Sequence, residues 1–126
     1  MLRKIAVEIA TATDQTATDY SASYKLTGKV VGIGYAFGDL ANTIDFVITG
    51  ETSGSPILTY ANVPAANAFW HPRVLANKNT DGAAFTDAAS EAPRVFAERI
   101  KIATLQGGVS KTGTLTFYIE DDTLID

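Results

Sequence analysis

Along much of the chain, apolar and polar residues alternate one by one, the period of a strand that buries one face. Lys4 to Ile9 (KIAVEI) puts Ile5, Val7 and Ile9 on one side. Thr43 to Thr49 (TIDFVIT) does the same with Ile44, Phe46 and Ile48. After the turn-forming GETSGSP comes an apolar run from Ile57 to Val63. Arg99 to Leu105 and Thr114 to Glu120 (TLTFYIE) alternate again. These runs are rich in β-branched and aromatic residues, which fit a pleated, half-buried surface. Tyr24 to Phe37 (YKLTGKVVGIGYAF) is longer and more apolar, with Gly28, Gly32 and Gly34 inside it and Gly38 just beyond. Glycines at that density oppose a helix and mark bends, bulges or close backbone approach in a strand. The reading is a kinked or bulged strand.

Two stretches lack the alternation. ATATDQTATDYSAS reads as a polar loop. Residues 64 to 93 (PAANAFWHPRVLANKNTDGAAFTDAASEAP) are the least regular and hold three of the four prolines. A short extended piece is expected there near Phe69 to Leu75, and one helical turn near Thr86 to Ala92. A connection of this length is uncommon and often functional. The chain therefore reads as all-β, an antiparallel sandwich of jelly-roll or Ig-like type with about six to eight strands and one long irregular loop. Residues 1–126 read as a single domain.

The stretch ERIKIATLQGGVSKTGTLTFYIED contains the residue types of a phosphate-binding loop. In the G-x-x-x-x-G-K-[ST] motif, however, the second glycine directly precedes the lysine and a helix follows, whose N–H groups hold the phosphate. Here Ser110 precedes Lys111, Gly113 comes two residues later, and a strand pattern follows. Two alternating runs around a Gly-rich connection predict a hairpin, with Lys111 on its exposed tip.

A chain of 126 residues buries roughly two thirds of its unfolded surface, enough for a core without staples. It has no cysteine, which removes disulfides, thiol nucleophiles and thiolate metal sites. Its net charge of −4 comes from the ending EDDTLID, with Glu120, Asp121, Asp122 and Asp126. Without those four acids the ten that remain equal the ten Lys and Arg. A neutral body with an acidic tail offers no electrostatic track for nucleic acid. Arg3 with Lys4, and Arg99 with Lys101, read as solvated rims. The start MLRKIAVEIATAT lacks the apolar core of a signal peptide. No apolar stretch approaches the ~18 residues of a membrane-spanning helix.

Candidate chemistry is sparse. His71 is the only histidine, and a general base needs convergent partners that the sequence does not display. Asn77-Lys78-Asn79-Thr80-Asp81-Gly82 resembles the first half of a calcium loop, but the position of the closing bidentate acid is Ala88, so a turn is expected. Among Asp39, Asp45, Glu51, Asp81, Asp87, Glu91 and Glu98 nothing singles out a catalytic pair, and Asp45 is expected on the outer face of its strand. No catalytic, metal-binding or cofactor-binding residue is assigned, and the chain reads as a non-enzyme. The aromatics stand out instead. Phe69-Trp70 suits a carbohydrate platform, a subunit anchor or a lid on the sandwich. Interface candidates are Phe69, Trp70 and Arg73 in the long segment, Tyr20 in the polar stretch, Tyr24 at the start of the long apolar run, and Lys111 at the tip.

Ala97-Glu98-Arg99-Ile100-Lys101-Ile102, Gln106-Gly107-Gly108 and Lys111-Thr112-Gly113 resemble the C-terminal hairpin of a group of small phage and prophage virion proteins. The pattern of that group is [GA]-E-R-[IV]-K-[IVL], then Q-G-G-x-x-K-[TS]-G, then a closing strand. DFVITGETSGSPILTYANV and NTDGAAFTDAA resemble the group as well, so the likeness runs from about Thr43 to the end, two thirds of the chain. It implies a virion structural protein assembled in the host cytoplasm, foremost a capsid decoration or cement protein bound to the major capsid protein. A head–tail or tail component is the alternative within the group, and a carbohydrate-binding β-sandwich the alternative outside it. The resemblance supplies no catalytic residues. The partners it implies are virion subunits and further copies of the chain, a trimer among them, with no nucleic acid and no membrane.

Overall fold

The computed structural model describes residues 2–22, 25–75, 90–91 and 93–121. Its strands are β1 (Leu2–Ala10), β2 (Ala17–Tyr20), β3 (Leu26–Ala36), β4 (Asp45–Gly50), β5 (Pro56–Tyr60), β6 (Ala68–Trp70), β7 (Val74–Leu75), β8 (Ser90–Glu91), β9 (Arg94–Glu98), β10 (Ile100–Leu105) and β11 (Thr112–Asp121). No helix occurs among the described residues. Alternation on the page becomes alternation in burial. In β11, Gly113, Leu115, Phe117, Ile119 and Asp121 are buried while the residues between them are half-buried or exposed.

Two antiparallel sheets form the body. One runs β1-β11-β3, with β6 and β9 both on the far edge of β3, and the other runs β2-β10-β4-β5. If the β6/β9 edge is counted as one position, the pairs β1–β11, β2–β10, β3–β6/β9 and β4–β5 are those of one long antiparallel hairpin. Rolling that hairpin adds the pairs β11–β3 and β10–β4. This is the jelly-roll order, which distinguishes it from the Ig-like alternative. The two sheets hold nine strands, and β7 and β8 form a separate ribbon. Inner faces meet in a core where Ile9, Val30, Ile33, Ile44, Phe46, Ile48, Ile100, Ile102, Leu115, Phe117 and Ile119 have no exposed surface. Burial of each such side chain is worth about 1.5–3 kcal/mol.

Several expectations are corrected. β10 and β11 are not a hairpin, since β10 pairs with β2 and β4 while β11 pairs with β1 and β3. The Gly-rich connection carries the chain from one sheet to the other, turning through left-handed backbone at Gln106, Gly108 and Ser110. Part of the polar ATATDQTATDYSAS stretch is a strand, because Ala17–Tyr20 finds a free edge of β10. Ser90 and Glu91, placed by sequence in a helical turn, pair with Leu75 and Val74; residues 86–89 and 92 lie outside the described residues. Asp121, read from sequence as part of the acidic tail, is buried, and its carboxylate lies 2.8 Å from the Arg3 guanidinium, so Arg3 is ion-paired and not a solvated rim. The long apolar strand behaves as read: β3 carries register shifts opposite Tyr118/Ile119 and at Leu26/Thr27. The extended piece near Phe69 to Leu75 forms β6 and β7.

The crossing at 106–111 is fixed by hydrogen bonds. The Thr11 hydroxyl donates to the Gly108 carbonyl at 2.7 Å and accepts from the Lys111 N–H at 2.8 Å. Gly107 donates to the Gln15 carbonyl, Ser110 to the Ala12 carbonyl and Thr112 to the Asp39 carboxylate. Gly107 lies so close to Thr11 and Ile44 that a Cβ would sit 2.8 Å from the threonine methyl.

At one end of the core, Tyr35 stacks on Trp70 at 5.2 Å and meets the edge of Phe46 at 5.4 Å. Its hydroxyl is buried and has no hydrogen-bond partner among the described residues. Burial pushes its pKa up to about 12. The folded protein therefore keeps this proton at a pH where the unfolded chain, near the ordinary value of about 10, has lost it. The associated stability is complete below pH ~10 and falls as the pH rises toward 12. Tyr35→Phe is expected to leave stability at neutral pH unchanged or raised, since no hydrogen bond is lost. It should also flatten the alkaline decline in melting temperature, as read by thermal melts across that range.

Candidate functional site

Of the resembling residues, Ala97 to Ile102 lie where the chain passes from β9 to β10, and Gln106 to Gly108 and Lys111 to Gly113 lie at the crossing from β10 to β11. Ala97 is left-handed (φ 51°), which swings the chain off the first sheet, and Ile100 enters the second. Glu98 is buried at this corner, and its Oε1 accepts from the Thr52 N–H (3.0 Å), the Ser53 N–H (3.1 Å) and the Ser53 hydroxyl (3.1 Å). One carboxylate oxygen thus closes the β4–β5 turn. Gly50 leaves it room: a Cβ there would lie 2.2 Å from Oε1. Arg99 donates through Nε to Glu51 at 2.9 Å and through a second nitrogen to the other carboxylate oxygen. That contact holds the Glu51 carboxyl below the usual carboxylate range. The same guanidinium lies 4.1 Å from the Tyr20 ring centroid. Ile100 and Ile102 are core residues. The signature is therefore a set of braces rather than a reactive group.

An open cleft of about 630 Å³ adjoins this corner, lined in part by Lys25, Ser53, Arg94, Phe96 and Glu98. Phe96 is 61% exposed, and the Arg94 guanidinium lies 5.1 Å from its ring centroid. The Glu98 oxygen described above faces the turn and is already saturated by three donors. The described residues hold no group of three or more His, Cys, Asp or Glu suited to a metal ion.

Phe69 and Trp70, neighbours in sequence, point to opposite sides of β6. Trp70 faces inward and packs on Tyr35, on Tyr60 at 5.5 Å and on Phe46 at 6.3 Å. It is the lid of the sandwich. Phe69 faces outward and is 49% exposed, in contact with Tyr118 at 5.4 Å and His71 at 5.0 Å between ring centroids. It lies over Gly32, where a Cβ would come within 2.5 Å of the ring. Tyr118 has the Lys4 ammonium 6.0 Å from its centroid on the other side. The outer face of the first sheet thus presents a row of His71, Phe69, Tyr118 and Lys4.

The remaining sequence candidates are dispersed. Tyr20 is exposed on β2 beneath Arg99. Arg73 is exposed between β6 and β7, and Lys111 is exposed on the crossing loop as expected. Tyr24 and the calcium-like residues 77–82 lie outside the described residues. The Gly107, Ser110, Lys111 and Thr112 N–H groups all bond within the protein, so the loop does not aim them at a phosphate. Asp45 sits on the outer side of β4 and accepts from the Asn62 N–H at 2.9 Å. Sequence reading did not pair Tyr118 with Phe69, and it passed over Phe96. Tyr118 was identifiable from its polar-phase position in TLTFYIE, whereas nothing local marks Phe96.

Glu98→Ala is expected to destabilise the fold by about 2–3 kcal/mol, since it strips a charged acceptor from two turn N–H groups and a hydroxyl. Urea denaturation reads the loss directly. Glu98→Gln should recover part of it, because the amide oxygen still accepts.

No protein-family model matches the chain, and no curated protein matches it.

Proposed function

We propose that the chain is a structural subunit of a bacteriophage particle, a capsid decoration or cement protein acting through protein–protein contacts with the major capsid protein and not through catalysis. The observation that carries this reading is the use made of the resembling segment. Glu98, Arg99, Gly107 and Lys111 serve the fold through a braced turn, a stacked ion pair and a pinned crossing. A signature spent on a scaffold suits a protein whose work is to be a rigid piece. The jelly roll is among the folds that shell proteins use, although a fold alone does not assign a role.

Cement proteins hold neighbouring capsomers together against internal pressure. Binding energy in such contacts concentrates in a few apolar or aromatic anchors. Phe69 and Phe96, both outward and solvent-exposed, supply anchors of that type. A head–tail or tail position would use the same surfaces. The aromatic row of His71, Phe69 and Tyr118 favours a second reading, a carbohydrate-binding module, because sugars stack on exposed rings.

Co-sedimentation with empty shells of the phage that encodes the chain separates these readings. The wild type should bind. Phe69→Ala should weaken binding by at least about 2 kcal/mol while leaving the melting temperature nearly unchanged. Trp70→Ala should instead destabilise the fold by about 3 kcal/mol, as the loss of a packed aromatic does. Phe69-dependent binding to a glycan array, with no shell binding, would establish the carbohydrate reading. Binding to neither would overturn both.

A further inference from the structure

Among the described residues, β1 is the long sheet edge without a second partner strand. It pairs with β11 along its whole length without a register shift, and among the described residues no strand pairs with its other side. The other edges are short or irregular. β2 has four residues and β6 three. β5 begins at a proline and carries a shift, and β9 contains left-handed Ala97. A regular nine-residue edge without proline or bulge is a template for another strand unless the sequence guards it.

The groups offered by that edge follow from the ladder. Thr11 donates its N–H to the Lys111 carbonyl, which continues the β1–β11 register by one residue. In an antiparallel pair hydrogen-bonded residues alternate with non-bonded ones. Arg3, Ile5, Val7 and Ile9 therefore bond to β11, while Leu2, Lys4, Ala6, Glu8 and Ala10 turn their N–H and C=O groups to the open side. The side chains of Lys4, Ala6 and Glu8 are exposed, and Ile5 on the inward side is only half-buried.

We infer that two copies of the chain pair through β1, antiparallel about a two-fold axis at Ala6. In that register Ala6 faces Ala6 of the second copy, and Lys4 faces its Glu8 on both sides of the axis. Leu2 faces Ala10, and half-buried Ile5 faces Val7. Every open N–H and C=O group from Leu2 to Ala10 gains a partner, and two five-stranded sheets become one. Charge selects this register from the alternatives. A two-fold axis at Lys4 sets lysine against lysine, and one at Glu8 sets glutamate against glutamate. Edges guarded against pairing carry charges that repel a copy of themselves; this one carries opposite charges four residues apart, complementary to its own reverse. The arrangement is a dimer, in place of the trimer considered from sequence, and it does not depend on the phage reading.

Sedimentation equilibrium of the purified chain tests it, with circular dichroism to verify that each variant is folded. The wild type should be a dimer at micromolar concentrations. Lys4→Glu and Glu8→Lys should each raise the dissociation constant at least about tenfold, because each reversal acts at both symmetry-related pairs. The double reversal Lys4→Glu/Glu8→Lys should restore dimerisation to within about threefold of the wild type, since the charges are again complementary. A monomeric wild type, a trimer, or a dimer whose dissociation constant ignores the single reversals would overturn the proposal, as would a double reversal that remains as weak as either single one.

Discussion

Two sheets that must bury their inner faces against each other force the chain to cross from one to the other, and the rest of the structure depends on how those crossings are held. Of the connections between strands of the two sheets, β4–β5 returns within its own sheet, as does the passage from β6 to β9 by way of the β7–β8 ribbon, while β1–β2, β2–β3, β3–β4, β5–β6, β9–β10 and β10–β11 all cross. A crossing carries backbone groups that no ladder satisfies. Each would cost about 1–3 kcal/mol if it were buried without a partner. Side chains far away in sequence supply the partners. Thr11 serves the Gly108–Lys111 crossing, Asp39 accepts from Thr112, and Glu98 closes the turn beside the β9–β10 crossing. These polar residues brace the crossings and turns around an apolar core.

The faces of the strands were legible because a period of two reports which side is buried. Ile5, Val7 and Ile9, or Ile44, Phe46 and Ile48, needed no structure to be grouped. Strand neighbours were not legible. ERIKIATL and TGTLTFYI alternate equally well whether they pair with each other or lie in different sheets, and only the path of the whole chain decides between these. The left-handed residues Gln106 and Ser110 make the difference locally, yet neither is a glycine that would announce it. β2 was missed for a related reason. ATDY has little apolar content, and its strand form comes from the open edge of β10.

The site was legible in its residues and not in its geometry. Phe69-Trp70 drew notice as one aromatic patch, but adjacent residues of a strand face opposite ways. One became the lid over Tyr35 and the other an exposed ring over Gly32. Gly32 itself was legible as a place of close approach, and the visitor is the Phe69 side chain. Arg99 and Asp121 looked like surface charges because sequence shows no partner for either. Glu51 and Arg3 supply the partners across the fold.

The proposed phage-shell role rests on the resembling segment, whose residues brace the jelly roll, with Phe69 and Phe96 on its outer face as the proposed anchors. The measurement that bears on it most directly is the number of copies per particle, by quantitative mass spectrometry of purified virions. A capsid decoration protein is expected in a fixed stoichiometric ratio to the major capsid protein. Presence only in the few copies that fit a single portal or tail tip would contradict the decoration role. Absence from the particle would contradict the virion assignment altogether.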